Sequence, residues 1–372
     1  MSSNPTVFVT RCDNYQESFP DAFRKLMDAT GWLDSMSLRG KRVLIKPNLL
    51  TDRKPEQAVT THPAVLRQTI RFLKEAGVGR ICVGDSPAST ANLQAVLDLS
   101  GIGEVCREED VEIVRFEQTP PVQLERNGFS FTLSQAVLDA EWIVNLPKVK
   151  SHSLTLLTAA VKNLYGAVPG YTKTHLHRCY PKPNLFGKLL QTIWEVLPPV
   201  LSIADGVVGM EGQGPANGKP VPLGFLAASA DAYALDNWLC ETLHINRSRV
   251  PYLRDLDETH TPVVEGDQIQ VDSFEIPSGA HLLNLLPEWF VHLAGRILWV
   301  NPAFDPSRCI ACGQCVKACP MKALTIPVGQ KIPRLDRHNC IGCACCHEIC
   351  PRGAIHMTQS GILRMMKVFK GL

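Results

Sequence analysis

The chain has 372 residues, of which 45% are apolar and 20% charged, with a formal net charge of +2. This is a globular mixture, long enough for two or three domains and a sizeable core. Near-neutral charge gives no global pull toward nucleic acid or an anionic membrane surface, so neither is expected as a partner. The opening MSSNPTVFVT lacks a basic segment followed by an apolar one, so no signal peptide is expected. No transmembrane segment is expected either. The most apolar stretch, 281–300, is interrupted by Glu288, His292 and Arg296 and reads as a packed helix.

In chain order, short β-branched or apolar runs fall at 6–10, 42–47, 80–85, 111–116, 141–146, 200–205 and 223–229. Helical patterns lie between them. The segment HPAVLRQTIRFLKEAG (62–77) keeps its apolar residues on one face, with Pro63 in the first turn and Gly77 at the end. Strand, helix, strand at this spacing predicts parallel pairing with right-handed crossovers. The fold expected over 1–275 is α/β, a mostly parallel sheet with flanking helices.

In such a sheet the ligand crevice lies outside the carboxyl ends of the strands. Four strand ends carry polar residues: Lys46 and Asn48; Asp85; Lys148, Lys150 and His152; Asp205 and Glu211. One such residue is ordinarily a solvated turn or a cap. Four together mark a candidate rim site. The stretch 158–180 adds Lys162 and Asn163 ahead of Gly166, Pro169 and Gly170. That pattern predicts a helix breaking into a loop that holds Lys173, His175 and His177. Lysines, amide donors and a glycine-rich backbone suit a phosphate or carboxylate. His175, His177 and Cys179 could ligate a metal only if the loop brought them together. Asp85, Asp205 and Glu211 could hold a divalent cation, since carboxylates suit hard ions. No P-loop or dinucleotide-binding spacing is present.

Nine of the fourteen cysteines fall between 309 and 350. Disulfides of a secreted scaffold would be scattered, so the clustering argues for metal in a reducing, cytoplasmic compartment. Cys309, Cys312, Cys315 and Cys319 are spaced C-x2-C-x2-C-x3-C-P, and Cys340, Cys343, Cys346 and Cys350 repeat that spacing 31 residues later. Zinc knuckles usually separate two CxxC pairs by a longer loop. The observed spacing instead wraps three thiolates round one cube and sends the fourth to a second cube. One [4Fe–4S] cluster is therefore assigned to Cys309, Cys312, Cys315 and Cys350. The other is assigned to Cys340, Cys343, Cys346 and Cys319. The fourth cysteine of each run is expected to begin a short helix. Asp305 matches Asp336, and Ala323-Leu324 matches Ala354-Ile355, which predicts a pseudo-twofold module with a short strand closing each half. Cys345 has no place in the motif and stays outside the ligand set.

The segment 305–358 resembles the bacterial two-cluster ferredoxins, which implies an α+β module. Upstream, KPN, THP, GDSP, LPKVKSHSLT, AVKNLYG and DGVVGMEGQGP, in that order, resemble the family catalogued as domain of unknown function 362, over about 38–245. That family is often joined to a ferredoxin module. The resemblance places Lys46, Asn48, Asp85, Lys148, His152, Lys162, Asn163, Asp205, Glu211 and Gly214 on its motif positions. It supplies no substrate.

The resulting expectation is an iron–sulfur oxidoreductase. Two clusters would exchange electrons with a ferredoxin-like partner and deliver them to an anionic small molecule in the α/β rim, the kind of chemistry found in anaerobic metabolism. Lys46, Lys148 and Lys162 would hold the anion, with Asn48, Asn163 and Asp205 beside it. His152, Asp85 or Glu211 would supply or take protons. The competing expectation is an electron carrier or assembly protein whose first domain only docks a partner. Residues 276–304 are expected to be a linker and packing helix, and 359–372 a basic amphipathic tail.

Overall fold

The computed structural model describes residues 4–32, 38–88, 91–277 and 300–360. Most of the expected linker helix and the C-terminal tail lie outside the described residues. All seven expected strands form. They are β1 Thr6–Arg11, β2 Arg42–Pro47, β3 Arg80–Gly84, β4 Glu112–Val114, β7 Trp142–Leu146, β10 Val200–Glu211 and β11 Lys219–Ser229. A hairpin of β5 Pro121–Arg126 and β6 Phe129–Ser134 stands apart from the main sheet. The main sheet also takes in β8 Lys148–His152, β9 Leu156–Thr158 and β12 Val263–Gly266, and its order is β12-β1-β11-β10-β7-β2-β3-β4. Strands β10, β7, β2, β3 and β4 pair in parallel, whereas β11 is antiparallel to both β10 and β1. The domain is α/β with helices on both faces of a mostly parallel sheet.

Side chains alternate across each strand and so feed two cores. Val43 and Ile45 join one apolar cluster with Leu66, Ile70 and Leu73 of the helix Pro63–Glu75. Leu44 joins the other cluster with Leu189 and Ile193 of the helix Pro183–Trp194 and Leu235 and Leu239 of the helix Ala232–Thr242. His62 caps the helix Pro63–Glu75, its Nδ1 accepting from the Ala64 amide at 3.2 Å, and Pro63 needs no donor in the first turn. Truncating Leu66 to Ala in this packing is expected to cost about 2–5 kcal/mol.

Three rim segments differ from the sequence expectation. After Pro147 the chain does not turn away but runs on as β8, pairing in parallel with β10 so that Lys148 faces Asp205 in the ladder. Strand β10 likewise continues through Asp205 to Glu211, past a register shift between Gly206 and Val208. Residues 170–179 form a helix, Gly170–Cys179, not a loop. Gly166 and Pro169 close one short helix and open the next. On that helix His175 Nε2 and Cys179 Sγ, four residues apart, meet at 3.3 Å, while His177 turns inward onto Phe186.

The C-terminal module is a small α+β unit. Strand β13 Val300–Phe304 pairs antiparallel with β16 Ile355–Gln359, and β14 Leu324–Thr325 pairs with β15 Arg334–Leu335. The expected twofold relation is present in the hydrogen bonds. Asp305 N donates to Ala354 O, and Asp336 N donates to Ala323 O, both at 2.8 Å. Ala323 N and Ala354 N donate to Cys319 Sγ and Cys350 Sγ, both at 3.2 Å. The short helices are Gln314–Lys317 and Cys345–Glu348. Each precedes the fourth cysteine of its run, so that cysteine follows a helix where it was expected to begin one.

Candidate functional site

A cavity of about 90 Å³ opens where the carboxyl ends of β2, β3 and β8 meet the helix Ala160–Leu164, the helix Gly170–Cys179 and the C-terminal module. The α/β domain supplies Lys150, Lys162 and Lys173 to it, with Lys46 behind the wall. Lys46 is 1% exposed and its Nζ lies 2.7 Å from Asp85 Oδ1. The free Asp85 oxygen and its partner are occupied too, because Leu49 N donates to Oδ2 at 2.7 Å and Ser86 N to Oδ1 at 2.9 Å. Gly166 packs on this pair so tightly that a Cβ there would stand 1.9 Å from Asp85 Oδ1 and 2.4 Å from Lys46 Nζ. A larger residue would displace this buried ion pair. Lys150 Nζ donates to Asn48 Oδ1 at 2.8 Å and to Val59 O at 2.7 Å. Lys173 donates to Ser86 O and, at 3.3 Å, to Pro87 O. Lys162 has no hydrogen-bond acceptor among the described residues. Its Nζ sits 4.8 Å from the centroid of the Tyr165 ring and 5.7 Å from that of Phe186, in cation–π contact.

The opposite wall comes from the cysteine module: Ala318, Cys345, Glu348 and Ile349. Glu348 Oε1 is buried without a hydrogen bond and lies 3.5 Å from His152 Nε2. His152 Nδ1 accepts from Leu154 N at 3.0 Å and Thr155 N at 3.3 Å. The ring hydrogen therefore belongs on Nε2, toward Glu348. The two domains are further tied by Arg53, which donates to Cys350 O at 3.3 Å and Pro351 O at 3.1 Å, and by Asn217, which donates to His347 O at 2.8 Å.

Within the module two more cavities form. One is lined by Cys309, Cys312, Cys315 and Cys350. The other is lined by Cys319, Cys340, Cys343 and Cys346. Each takes three thiols from one run and the fourth from the other run. The loops bend through positive φ at Ala311, Gly313, Gly342 and Ala344 to achieve this. The donor set, the 3+1 crossing and the apolar walls fit a cubane better than a lone ion. Among the described residues no three His, Cys, Asp or Glu side chains converge on a single metal position. That also applies to Asp85, Asp205 and Glu211, and to His175, His177 and Cys179.

The family described as domain of unknown function (DUF362) matches residues 43–241, and a 4Fe-4S dicluster domain matches 303–357. The chain belongs to the DUF362 family. Among curated relatives, the thylakoid-associated protein sll1697 of Synechocystis is 32% identical over 283 residues, covering 73% of this chain and 88% of that protein. Two solved structures are similar at a low level. One is a Thermotoga maritima protein, at 14% identity and a TM-score of 0.40, with 62% of this chain and 59% of the other covered. The second is the lactate racemase apoprotein of Thermoanaerobacterium thermosaccharolyticum, at 12% identity and a TM-score of 0.40, with 64% and 57% covered. The chain spans less than two thirds of the length of either. Among the described residues no helix is long and apolar enough to cross a membrane.

In this DUF362 chain, the rim residues separate into two groups. Asn48, Asp85, His152, Lys162 and Asn163 line the cavity, and Lys46 stands behind its wall, paired with Asp85. Lys148 and Asp205 do not line it, and form a second buried cluster on the same sheet. Lys148 Nζ donates to Asp205 Oδ2 at 2.9 Å and to Tyr15 Oη at 2.8 Å. Tyr15 donates to Asp205 Oδ1 at 2.6 Å, and His62 N donates to Asp205 Oδ2 at 2.8 Å. Glu211 is at the far end of β10, accepting from Glu275 N at 2.9 Å. It is remote from the cavity because β10 extends where a turn was expected. Gly214 is held by Ser151 and Ser153, its N–H donating to Ser151 Oγ at 3.2 Å and its carbonyl accepting from Ser153 Oγ at 2.9 Å.

Burial governs the charges in the cavity. It lowers Lys46 and Lys162, brings Lys150 down to about 7 and Lys173 to about 8, and takes His177 to about 3. Repulsion among the ammonium groups pushes Lys150 the same way. Burial also keeps His152 neutral and raises Glu348. Sequence reasoning placed Lys150 on the rim and Lys173 in the adjoining loop but gave neither a role, and it left Thr158, Cys345 and Glu348 out of the site. Thr158 is 4% exposed and its Oγ1 has no partner. The alternation in KVKSH was the available signal for Lys150: on a strand, Lys148, Lys150 and His152 share a face.

Proposed function

We propose that the chain is an iron–sulfur oxidoreductase that reduces a small anionic molecule held in the cavity between its two domains. One observation carries this reading. The cavity is walled on one side by three lysines, Lys150, Lys162 and Lys173, and on the other by Cys345 and Glu348, which are interleaved with the thiols Cys343, Cys346 and Cys350. Cys309, Cys312, Cys315 and Cys350 would hold one [4Fe–4S] cluster, and Cys319, Cys340, Cys343 and Cys346 the other. When bound, these clusters supply electrons one at a time. Reduced thiols suit a reducing compartment such as the cytoplasm.

The chain's own residues do the rest. An ammonium buried without a carboxylate is costly, and an anion in the cavity would relieve Lys162 and Lys150 together. Thr158 and the Nε2 hydrogen of His152 add donors. Asp85 holds Lys46 in place, since its oxygens are already committed. Lys150 and Lys173, poised near neutral pH, are the groups able to hand a proton to a reduced product. The low-dielectric wall around the cavity strengthens each of these contacts.

The experiment is made on protein purified without air. Iron and sulfide are counted, and any released organic molecule is identified by mass. About eight irons with an anionic molecule that is altered when the clusters are reduced is the expected result. Eight irons with no such molecule, and a stoichiometric enzyme partner recovered in its place, would favour the electron-carrier reading.

A further inference from the structure

We propose that the face of the cysteine module around Cys309, Cys312, Cys315 and Cys350 docks a small, acidic electron-carrier protein. The inference rests on the electron path proposed above. It starts from the unequal exposure of the two cysteine cavities. Cys343 and Cys346 are buried, and the helix Cys345–Glu348 beside them faces the lysine cavity. Cys312 is exposed, and beside it Ile310 is 55% exposed. An outer cavity and an inner one define an entry and an exit for electrons.

Charge then selects the partner. Between residues 300 and 360 there are seven Lys and Arg against three Asp and Glu, a net of +4. That net already counts the three acids, and the cations outnumber them. Glu348 faces the lysine cavity, while Asp305 and Asp336 accept from Ser307 N and His338 N, both at 2.9 Å. Arg308, Lys317, Lys331 and Arg352 are exposed, and Arg352 lines the outer cavity itself. Lys331 lies beside it too, its carbonyl accepting from Cys309 Sγ at 3.6 Å. Among the described residues none of these four is within ion-pair distance of a carboxylate. An apolar centre inside a charged rim is the anatomy of a transient protein interface. Thiolate-ligated clusters are themselves anionic, but one held by Cys309, Cys312, Cys315 and Cys350 would be ringed by these cations, which an approaching protein would meet first. A cationic rim attracts an acidic carrier and repels a basic one. One electron passes from the reduced carrier to the oxidised module, and no bond is made or broken.

The test uses the full chain with its iron in place and a plant-type [2Fe–2S] ferredoxin as the acidic probe. Binding is titrated calorimetrically at low and high salt, and reduction is followed optically. Affinity is expected to fall at least about tenfold on raising the salt, as steered association does. The double variant Lys317→Glu/Arg352→Glu is expected to lose at least about tenfold at low salt with unchanged iron content. These two side chains make no described hydrogen bond, so their replacement should not disturb the fold. Arg80→Ala, on the α/β domain, is expected to bind as the parent does. Salt-independent binding, or equal binding by the double variant, overturns the surface. Methyl viologen radical separates the causes. If it reduces the module while ferredoxin neither binds nor reduces it, the docking surface is wrong and the electron path stands. If the viologen cannot reduce the module either, both readings fall.

Discussion

Two buried lysine–aspartate pairs lie on one sheet, and they differ in what surrounds them. Lys148 and Asp205 are 1% and 0% exposed, and every oxygen of Asp205 is met by Tyr15, Lys148 or the His62 amide. Tyr15 also stacks on the His62 ring at 3.5 Å. Lys46 and Asp85 are just as buried, but their neighbours Lys162, Thr158 and Glu348 keep unspent hydrogen-bonding capacity facing an empty space. In sequence both pairs are a lysine and an acid at strand ends. The difference teaches that satisfaction, not burial or charge, separates a structural bracket from a site.

The sharpest way to break the comparison is to remove one partner from the satisfied pair. Asp205→Ala strands Lys148 and Tyr15 in the interior. Unfolding in urea should show a loss of about 3–5 kcal/mol, the usual cost of orphaning a buried charge. Lys162→Met should do the opposite. It removes a buried ammonium that has ring contacts and only a longer-range attraction to Glu348, and fills its volume, so stability should hold or rise while anion binding and turnover fall more than about tenfold, at least ~1.4 kcal/mol. Equal destabilisation by the two variants would erase the distinction between the regions.

The fold was legible because its signals are local and periodic. Seven apolar runs, a capped amphipathic helix and two cysteine phrases each report on neighbours in sequence. Even the Asp305–Ala354 and Asp336–Ala323 hydrogen bonds follow from the internal repeat. The site was legible only in part. Asn48, Asp85 and His152 were picked out because strand ends mark a rim, and Lys162 and Asn163 because they precede a glycine-rich break; these five line the cavity, with Lys46 behind it. Lys148 and Asp205 were grouped with them because a sequence does not show which of two buried pairs is complete. Glu211 was misplaced because β10 runs on past the expected turn. Glu348 and Cys345 were missed because the wall they form exists only when one domain packs on the other.

The pH dependence of the cavity is a smaller effect with a definite sign. Lys150 is lowered to about 7 and Lys173 to about 8 by burial. A depressed lysine sheds its proton earlier in the folded chain than in the unfolded one. Its contribution to stability is thus fully present above about 10, the unfolded value, and is lost as pH falls through the folded value. Anion binding runs the other way, because it needs the ammonium form. Sulfate, whose charge is constant here, should bind fully below pH 7 and weaken above it, by up to about tenfold per unit for each lysine released. Calorimetry across pH 6–9 reads this directly. Affinity that rose with pH would mean the lysines do not carry the binding.

The smallest expected effect concerns Cys345, and its smallness is what makes it informative. It stands between Cys343 and Cys346 yet lines the lysine cavity, not the cavity those two thiols share with Cys319 and Cys340. Cys345→Ala should leave iron at about eight per chain, whereas Cys343→Ala should lose about half of it. If the two variants lost iron alike, the ligand set would have to include the ninth cysteine, and the wall facing the lysines would belong to a cluster. If only Cys343→Ala lost iron while Cys345→Ala altered the anion's affinity, the helix Cys345–Glu348 would face both ways, with one side toward electrons and the other toward what they reduce.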